Sequence, residues 1–376
     1  MKKIFICGGY VRDRLLGRVA KDIDYVVVGA TPEEMLADGF VQVGADFPVF
    51  LHPETREEYA LARRERKVAA GYHGFETEFD VSVTLKEDLS RRDLTINAMA
   101  MDDEGNIIDP FNGYPDLSAG ILRHTTTAFA EDPLRVLRVA RFVARYKGFK
   151  IADETMELMK DIVDAKELEH LSKERIYLEF IKAMSEADPF RFIACLKHSG
   201  ALKVVFPELY EAIMSHSVRA IIPVINTLTD LESPTQRMAY LLMLAVRKEA
   251  IDEISERMKI PNEVKQLAKD AFEFRTACGS SSARSIVELF DVIKGSYSGG
   301  RLWEAQAMFE IIHPNLAIEP SVMLRLHFEY LSVSFESLTE DQRSTLKGKA
   351  IGEAIKAERI NRITDYMRKN DMQFFF

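Results

Sequence analysis

Short apolar runs separated by turns occupy the first part of the chain, and a 3.6-residue period occupies the remainder. Lys3–Cys7 is brief and mostly apolar, which predicts a buried strand. Gly8 and Gly9 follow as a turn, Tyr10–Leu16 as one or two helical turns, and Gly17 as a stop signal. Ile23–Val28 predicts a second strand; Val41–Val43, Val49–His52 and Glu58–Ala62 predict three more. Thr84 and Glu87 have the spacing of a capping box, and the helix they open is expected to run through Arg91, Arg92 and Asp93 to Asn97. Asp109–Leu117, D-P-F-N-G-Y-P-D-L, predicts a turn-rich connector. Beyond Asp132 the helical period persists to the C-terminus. The layout is α+β: a small head with a mixed sheet, then a long all-helical body.

Composition narrows this picture. A chain of 376 residues, 47% of them hydrophobic, is long enough for two to three domains with sizeable cores. No run approaches the ~20 apolar residues of a membrane span, and the N-terminus enters a strand without the layout of a leader peptide. Cys7, Cys195 and Cys278 are far apart and odd in number, which suits a reducing, cytoplasmic setting and no zinc site. A net charge of −9 argues against indiscriminate coating of nucleic acid, while leaving room for a local basic patch.

The candidate chemistry sits around the first turn. Asp22 and Asp24 are two residues apart, so on a strand both carboxylates face one side. They repel each other unless a cation lies between them, and a hard divalent ion suits oxygen ligands. The turn at Gly8 and Gly9 lets backbone N–H groups approach a phosphate, with the helix that follows presenting its positive end. Glu58, at the head of E-Y-A-L-A-R, is a third acidic candidate; Glu57 beside it faces the other way. Arg63–Asp80 is basic, then glycine-spaced with aromatics, which suits a mobile segment over a polyanionic site. In R-R-D-L-T-I-N-A the arginines suit a triphosphate, and Asp93 can accept a hydrogen bond from a hydroxyl. Further on, Arg138, Arg141 and Arg145 fall within one narrow helical arc with Arg135 at its edge, opposite Val136, Val139, Ala140 and Val143. Such a stripe repels itself unless an anion lies along it, and a polyphosphate is the expected anion.

G-G-Y-V-R-D followed by D-I-D-Y-V-V-V-G resembles the signature of the polymerase-β-like nucleotidyltransferase superfamily. In its extended form it is similar to that of the class II tRNA nucleotidyltransferases, the CCA-adding enzymes, and their poly(A) polymerase relatives. The resemblance is dense to about Pro207 and thinner over Ile260–Val264 and Ile286–Ile293. It implies a polymerase-β-like head over 1–125, a helical neck with a base-reading helix over 126–200, and an all-helical body and tail over 201–376 that binds tRNA. The implied activity is template-independent addition of C, C and A to the 3′ end of tRNA from CTP and ATP. Mg²⁺ would be held by Asp22 and Asp24, with Glu58 as the third carboxylate. Gly8, Gly9, Arg12, Arg92, Arg138 and Arg141 would hold the nucleotide, and Asp93 its ribose 2′-hydroxyl.

E-D-P-L-R matches the family motif in which Asp132 and Arg135 read the Watson–Crick edges of C and A, with Glu131 steadying Arg135. Glu174, Arg175 and Glu179 would brace that helix. G-Y-H-G-F matches a flexible loop implicated in switching from CTP to ATP. Many bacterial relatives carry a C-terminal His-Asp phosphohydrolase domain. Met243 and Leu244 stand where an adjacent His-Asp is expected, so no phosphohydrolase activity is expected. Lys347, Lys349, Lys356 and Arg359 offer either phosphate contacts or a solvated face. The resemblance implies no membrane and no protein partner. An A-adding enzyme, a poly(A) polymerase and a non-catalytic RNA-binding protein on the same scaffold are the alternatives.

Overall fold

In chain order the head contains β1 (Lys3–Cys7), α1 (Gly9–Leu15), β2 (Asp24–Val28), α2 (Pro32–Ala37), β3 (Val41–Val43), β4 (Val49–Leu51) and β5 (Glu58–Leu61). A hairpin of β6 (Arg64–Lys67) and β7 (Phe75–Glu78) follows, then α3 (Leu85–Ser90), β8 (Ala100–Met101), β9 (Ile107–Ile108) and α4 (Gly113–Ala119). The computed structural model describes residues 2–20, 22–43, 49–67, 75–78, 80–215, 227–245, 247–280, 282–293, 300–313, 318–370 and 372. The G-Y-H-G stretch and the terminal phenylalanines lie outside them. Among the described residues the head holds a seven-stranded sheet in the order β3-β4-β5-β2-β1-β8-β9. It is mixed, as expected: β1 runs antiparallel to β2 and β8, whereas β2 and β5 are parallel.

Strand alternation gives each face its own core. Val26 packs with Cys7, Ala62, Leu89 and Ala98 on one face. Val27 packs with Met35, Phe50, Tyr59 and Leu61 on the other. Three cysteines, Cys7, Cys195 and Cys278, are free and buried.

Two expectations in the head are corrected. The capping box at Thr84 and Glu87 forms, but its helix stops at Ser90 instead of reaching Asn97. The Asp93 carboxylate accepts the Leu94 N–H at 2.9 Å, Leu94 is extended, and a separate 3₁₀ turn covers Thr95–Asn97. A short polar side chain bonding to its neighbour's backbone thus competes with the helical ladder. The connector is largely helical, because Asp109 accepts the Gly113 and Tyr114 N–H groups at 2.7 and 2.8 Å and so opens α4. Gly113 belongs there, since a Cβ would lie 2.1 Å from the Thr95 carbonyl oxygen.

The helical part begins with β10 (Ile121–Leu122), α5 (Leu134–Arg145), β11 (Lys150–Ile151), α6 (Asp153–Asp164), α7 (Lys173–Met184) and α8 (Pro189–His198). The parallel pair β10 and β11 interrupts the expected all-helical run. α5 is buried on most of its circumference and packs against α7 and α8. Two compact units result, Met1–Tyr210 and Glu211–Phe376. Head and neck share the first unit because side chains tie them together: Arg138 to Asp93, and the Tyr146 hydroxyl to Asp13 at 3.2 Å.

In the second unit, helix Asn262–Ser280 packs against Pro234–Ala245, Ala283–Ile293 and Arg301–Ile312. Lys349–Lys369 lies on Ala283–Ile293 and Pro320–Leu331. Its Arg359 reaches the Tyr330 hydroxyl at 2.9 Å and Asp291 at 3.4 Å, and Lys356 reaches Glu288 at 3.4 Å. Those two cations are therefore engaged within the unit. No helix among the described residues is long and apolar enough to cross a membrane.

Candidate active site

The turn between β1 and α1 starts the site. Gly8 has φ +71°, a backbone region that side chains with a Cβ rarely adopt. A Cβ there would also lie 2.6 Å from Arg92 Nη1. Glycine thus lets the turn and that guanidinium share one wall of a cleft of about 630 Å³. On the next strands, parallel pairing sets Asp24 directly beside Glu58. Alternation carries Val26 and Ala60 to the same wall. Asp22 precedes β2 instead of lying on it, and it lines a neighbouring cavity of about 550 Å³ with Asp24, Glu57 and Glu58. Asp22, Asp24 and Glu58 are all exposed.

The opposite walls are basic. Gly8, Gly9, Arg12, Arg92, Asp93, Asp132, Arg135 and Arg138 all line the larger cleft, together with Asn97, Phe142 and Arg175. Each polar group is held. Asp13 grips Arg12 with two bonds of 2.8 and 2.9 Å, while Arg12 also donates to Asn97 Oδ1. Asp93 is buried and accepts from Asn97 Nδ2 at 2.9 Å and from Arg138 Nε and Nη2 at 2.9 and 2.8 Å. Burial alone would raise its pKa; Arg138 and Asn97 outweigh that and bring it down to about 2. Arg138 is correspondingly pushed above its ordinary value by the Asp93 carboxylate. Asp132, two residues before α5, accepts the Leu134 N–H at 3.1 Å. Both its oxygens also receive Arg175 Nη2, at 3.2 and 3.1 Å. Arg135 donates to the Ala128 carbonyl at 2.7 Å.

The arginine stripe resolves differently from the expectation. A carboxylate lies against three of its members: Asp93 against Arg138, Glu179 against Arg141, and Glu186 against Arg145. Self-repulsion is relieved within the protein, so the stripe does not require a polyphosphate along its length. Arg141 is turned into the helix packing, 2.7 Å from Glu179, and both are buried. Glu179 and Arg175 thus brace α5 from α7, while Ser172 caps α7. Sequence reasoning passed over Asp13 and gave no role to Asn97. A carboxylate adjacent to Arg12 was the available signal for the first. For Asn97 the four-residue spacing from Asp93 was visible, but its link to Arg12 is tertiary.

Asp22, Asp24 and Glu58 supply only oxygen, open to solvent. Among the described residues, no group of three or more His, Cys, Asp or Glu is poised to cage a metal unaided. That donor set fits a hard divalent ion that completes its coordination with water and phosphate oxygens.

A polymerase-β-like nucleotidyltransferase head on a mixed sheet, followed by helices, is the class of protein this fold and site define. The family comparisons agree with it. Residues 4–123 match the poly A polymerase head domain, and residues 148–213 match a probable RNA- and SrmB-binding site of polymerase A. A multifunctional CCA protein of Pseudoalteromonas atlantica is 60% identical over 209 residues, which cover 55% of this chain and 52% of that one. The chain thus matches about half the length of this curated relative. The Bacillus stearothermophilus CCA-adding enzyme in complex with CTP shares the fold with a TM-score of 0.69 at 22% identity. That match covers 99% of this chain and 94% of the other. The Thermotoga maritima CCA-adding enzyme complexed with tRNA gives 0.59 at 22% identity, over 97% and 92%. The poly A polymerase head match over residues 4–123 agrees with the resemblance of the chain's motifs to the CCA-adding and poly(A) polymerase group. Nucleotidyltransferases of this group generally use divalent metal ions.

Proposed function

We propose that this protein adds C, C and A to the 3′ end of tRNA without a nucleic-acid template, taking CTP and ATP as substrates. One observation carries the reading. A single cleft joins the Asp24 and Glu58 carboxylates to the Gly8 turn, to Arg12, Arg92 and Arg138, and to Asp132 and Arg135 at the start of a buried helix. Carboxylates and phosphate-binding groups serve any nucleotidyl transfer. The addition of a fixed carboxylate and a fixed guanidinium supports selection of a base by the protein itself.

In this reading Arg12 and Arg92 receive the triphosphate beside the Gly8 turn. Asp132, held by Arg175, accepts from the exocyclic amine that C and A both carry, and Arg135 donates to a ring nitrogen or carbonyl. Uracil lacks that amine, and guanine presents a different edge. Asp93 orients Arg138 toward the nucleotide, and its ribose contact would use the face left beside Arg138. Glu58 would take the proton of the attacking 3′-hydroxyl or add an oxygen ligand. Asp22 and Asp24 would hold the divalent metal, magnesium on this reading, which when bound supplies charge neutralisation and a more acidic hydroxyl. The helical second unit would bind tRNA by shape and phosphate contacts. The cytoplasm follows as the compartment.

The test offers purified protein tRNAs ending before, within and after CC, with each labelled triphosphate in turn. The expected products are CCA ends and no further growth. Addition of A alone selects an A-adding enzyme, and long tails select a poly(A) polymerase. No incorporation selects a binding protein on the same scaffold. Asp22→Ala should abolish incorporation while leaving tRNA binding in place.

A further inference from the structure

Asp88 lies on α3, outside every motif residue assigned above, and is completely buried. An ionised carboxylate in such a place is costly unless it is paired on most of its lone pairs. Here it gathers three donors. Oδ2 accepts from Arg92 Nη2 at 3.4 Å, and Oδ1 accepts from Arg91 Nη2 and from the Arg63 backbone N–H at 3.3 Å. Burial opposes its ionisation, but Arg91 and Arg92 together hold its pKa below the usual carboxylate range. Two more bonds tie the same pieces together: Arg91 Nε donates to the Arg63 carbonyl at 3.2 Å, and Arg64 Nε to Glu87 at 3.0 Å. Arg63, Arg91 and Arg92 all line the cleft, whereas Asp88 does not.

Arg92 is the informative member. Its Nη1 occupies the space over Gly8, and its Nε is buried without a hydrogen-bond partner among the described residues. A guanidinium that forgoes one bond to stay in place is held there by something else. The Asp88 carboxylate is the anion bonded to it.

We propose that Asp88 is a positioning residue for nucleotide binding. From behind the cleft wall it aims Arg92 over the Gly8 turn, and it anchors the foot of the β6–β7 hairpin at Arg63 to the same point. The inference rests on the nucleotidyltransferase reading and adds to it a residue that never touches substrate. On this proposal its effect on nucleotide affinity runs through Arg92, not through Arg91 or Arg63, and that separates positioning from simple support of the fold.

The experiment measures the Kd for CTP and the KM and kcat for CTP and ATP in full-length wild type, Asp88→Asn, Arg92→Ala and the double variant. Asp88→Asn should raise Kd and KM roughly ten-fold and change kcat less than about three-fold, and it should add nothing further in the Arg92→Ala background. If Asp88→Asn does not fold, Asp88→Glu keeps the charge, shifts the carboxylate by one methylene, and should give a smaller rise that also vanishes without Arg92. Unchanged Kd and KM, or a rise of the same factor in both backgrounds, overturns the inference. A wild-type protein that binds no CTP instead overturns the functional reading beneath it.

Discussion

Asp93→Asn gives the most direct test of how the site is held together. The substitution keeps the shape of the side chain and removes the charge that Arg138 meets at 2.8 Å. Wild-type Asp93 titrates at about 2, against an ordinary 3.8. A difference of that size corresponds to about 2 kcal/mol of folding stability at neutral pH. The value is below the ~3–5 kcal/mol for breaking a fully buried pair, as expected when the Arg138 side chain is 35% exposed and retains water. The sign follows from the depressed value. The stabilisation is fully present above the unfolded-state pKa and is lost as pH falls through the folded one. Urea unfolding followed by far-UV circular dichroism should place Asp93→Asn about 2 kcal/mol below wild type from pH 7 to about pH 4. By about pH 3 that gap should shrink to roughly half. Fluorescence of Trp303, the single tryptophan, lies in the second unit and serves as the control. Equal stability of variant and wild type at pH 7, or a gap that does not close in acid, would refute the account of Asp93 as the ionised anchor of Arg138.

Three further outcomes are expected. Gly8→Ala must adopt φ +71° and displace Arg92 Nη1. It should cost about 1–2 kcal/mol in urea unfolding and weaken CTP binding measured by equilibrium dialysis. Arg175→Gln releases the Asp132 carboxylate from its partner on α7, so discrimination of CTP and ATP over UTP and GTP in single-nucleotide incorporation should fall by roughly ten-fold; unchanged discrimination would count against Arg175 as its brace. Glu179→Leu leaves the buried Arg141 without its nearest carboxylate and should cost about 3 kcal/mol, whereas adding Arg141→Met should restore most of the loss in thermal unfolding.

Much of the head was legible because its signals are local. Five strands, the Thr84 capping box and the Gly8 turn follow from alternation, spacing and glycine, each read within about six residues. What failed to show was tertiary. R-R-D-L-T-I-N looks like a continuing helix until Asp93 bonds to Leu94 and bends the chain away. The arginine stripe on α5 looked like a polyanion track because its neutralising carboxylates, Glu179 and Glu186, lie about 40 residues later on elements that only folding brings near. Asp88 carried only its i,i+3 and i,i+4 spacing to Arg91 and Arg92, and nothing in a six-residue helix marks which acid will be buried. The second unit gave the least, because Lys356 and Arg359 read alike whether they meet phosphate, solvent or Glu288 and Asp291.

These carboxylates explain how an acidic chain can offer a site to a polyanion. Among the described lining residues, seven arginines face four carboxylates, so the cleft is locally positive although the protein carries −9 overall. Left alone, that many guanidiniums would splay apart into solvent. Asp13, Asp88, Asp93 and Asp132 hold Arg12, Arg92, Arg138 and Arg175, each through bonds that use only part of the guanidinium's five donors. The remaining donors are fixed in direction before a nucleotide arrives, which reduces the ordering cost of binding. The same pairing reduces the local excess charge, so steering of the triphosphate should depend on salt less steeply than seven free arginines would require. The site therefore trades raw attraction for geometry, which is what the proposed choice of a base without a template would require.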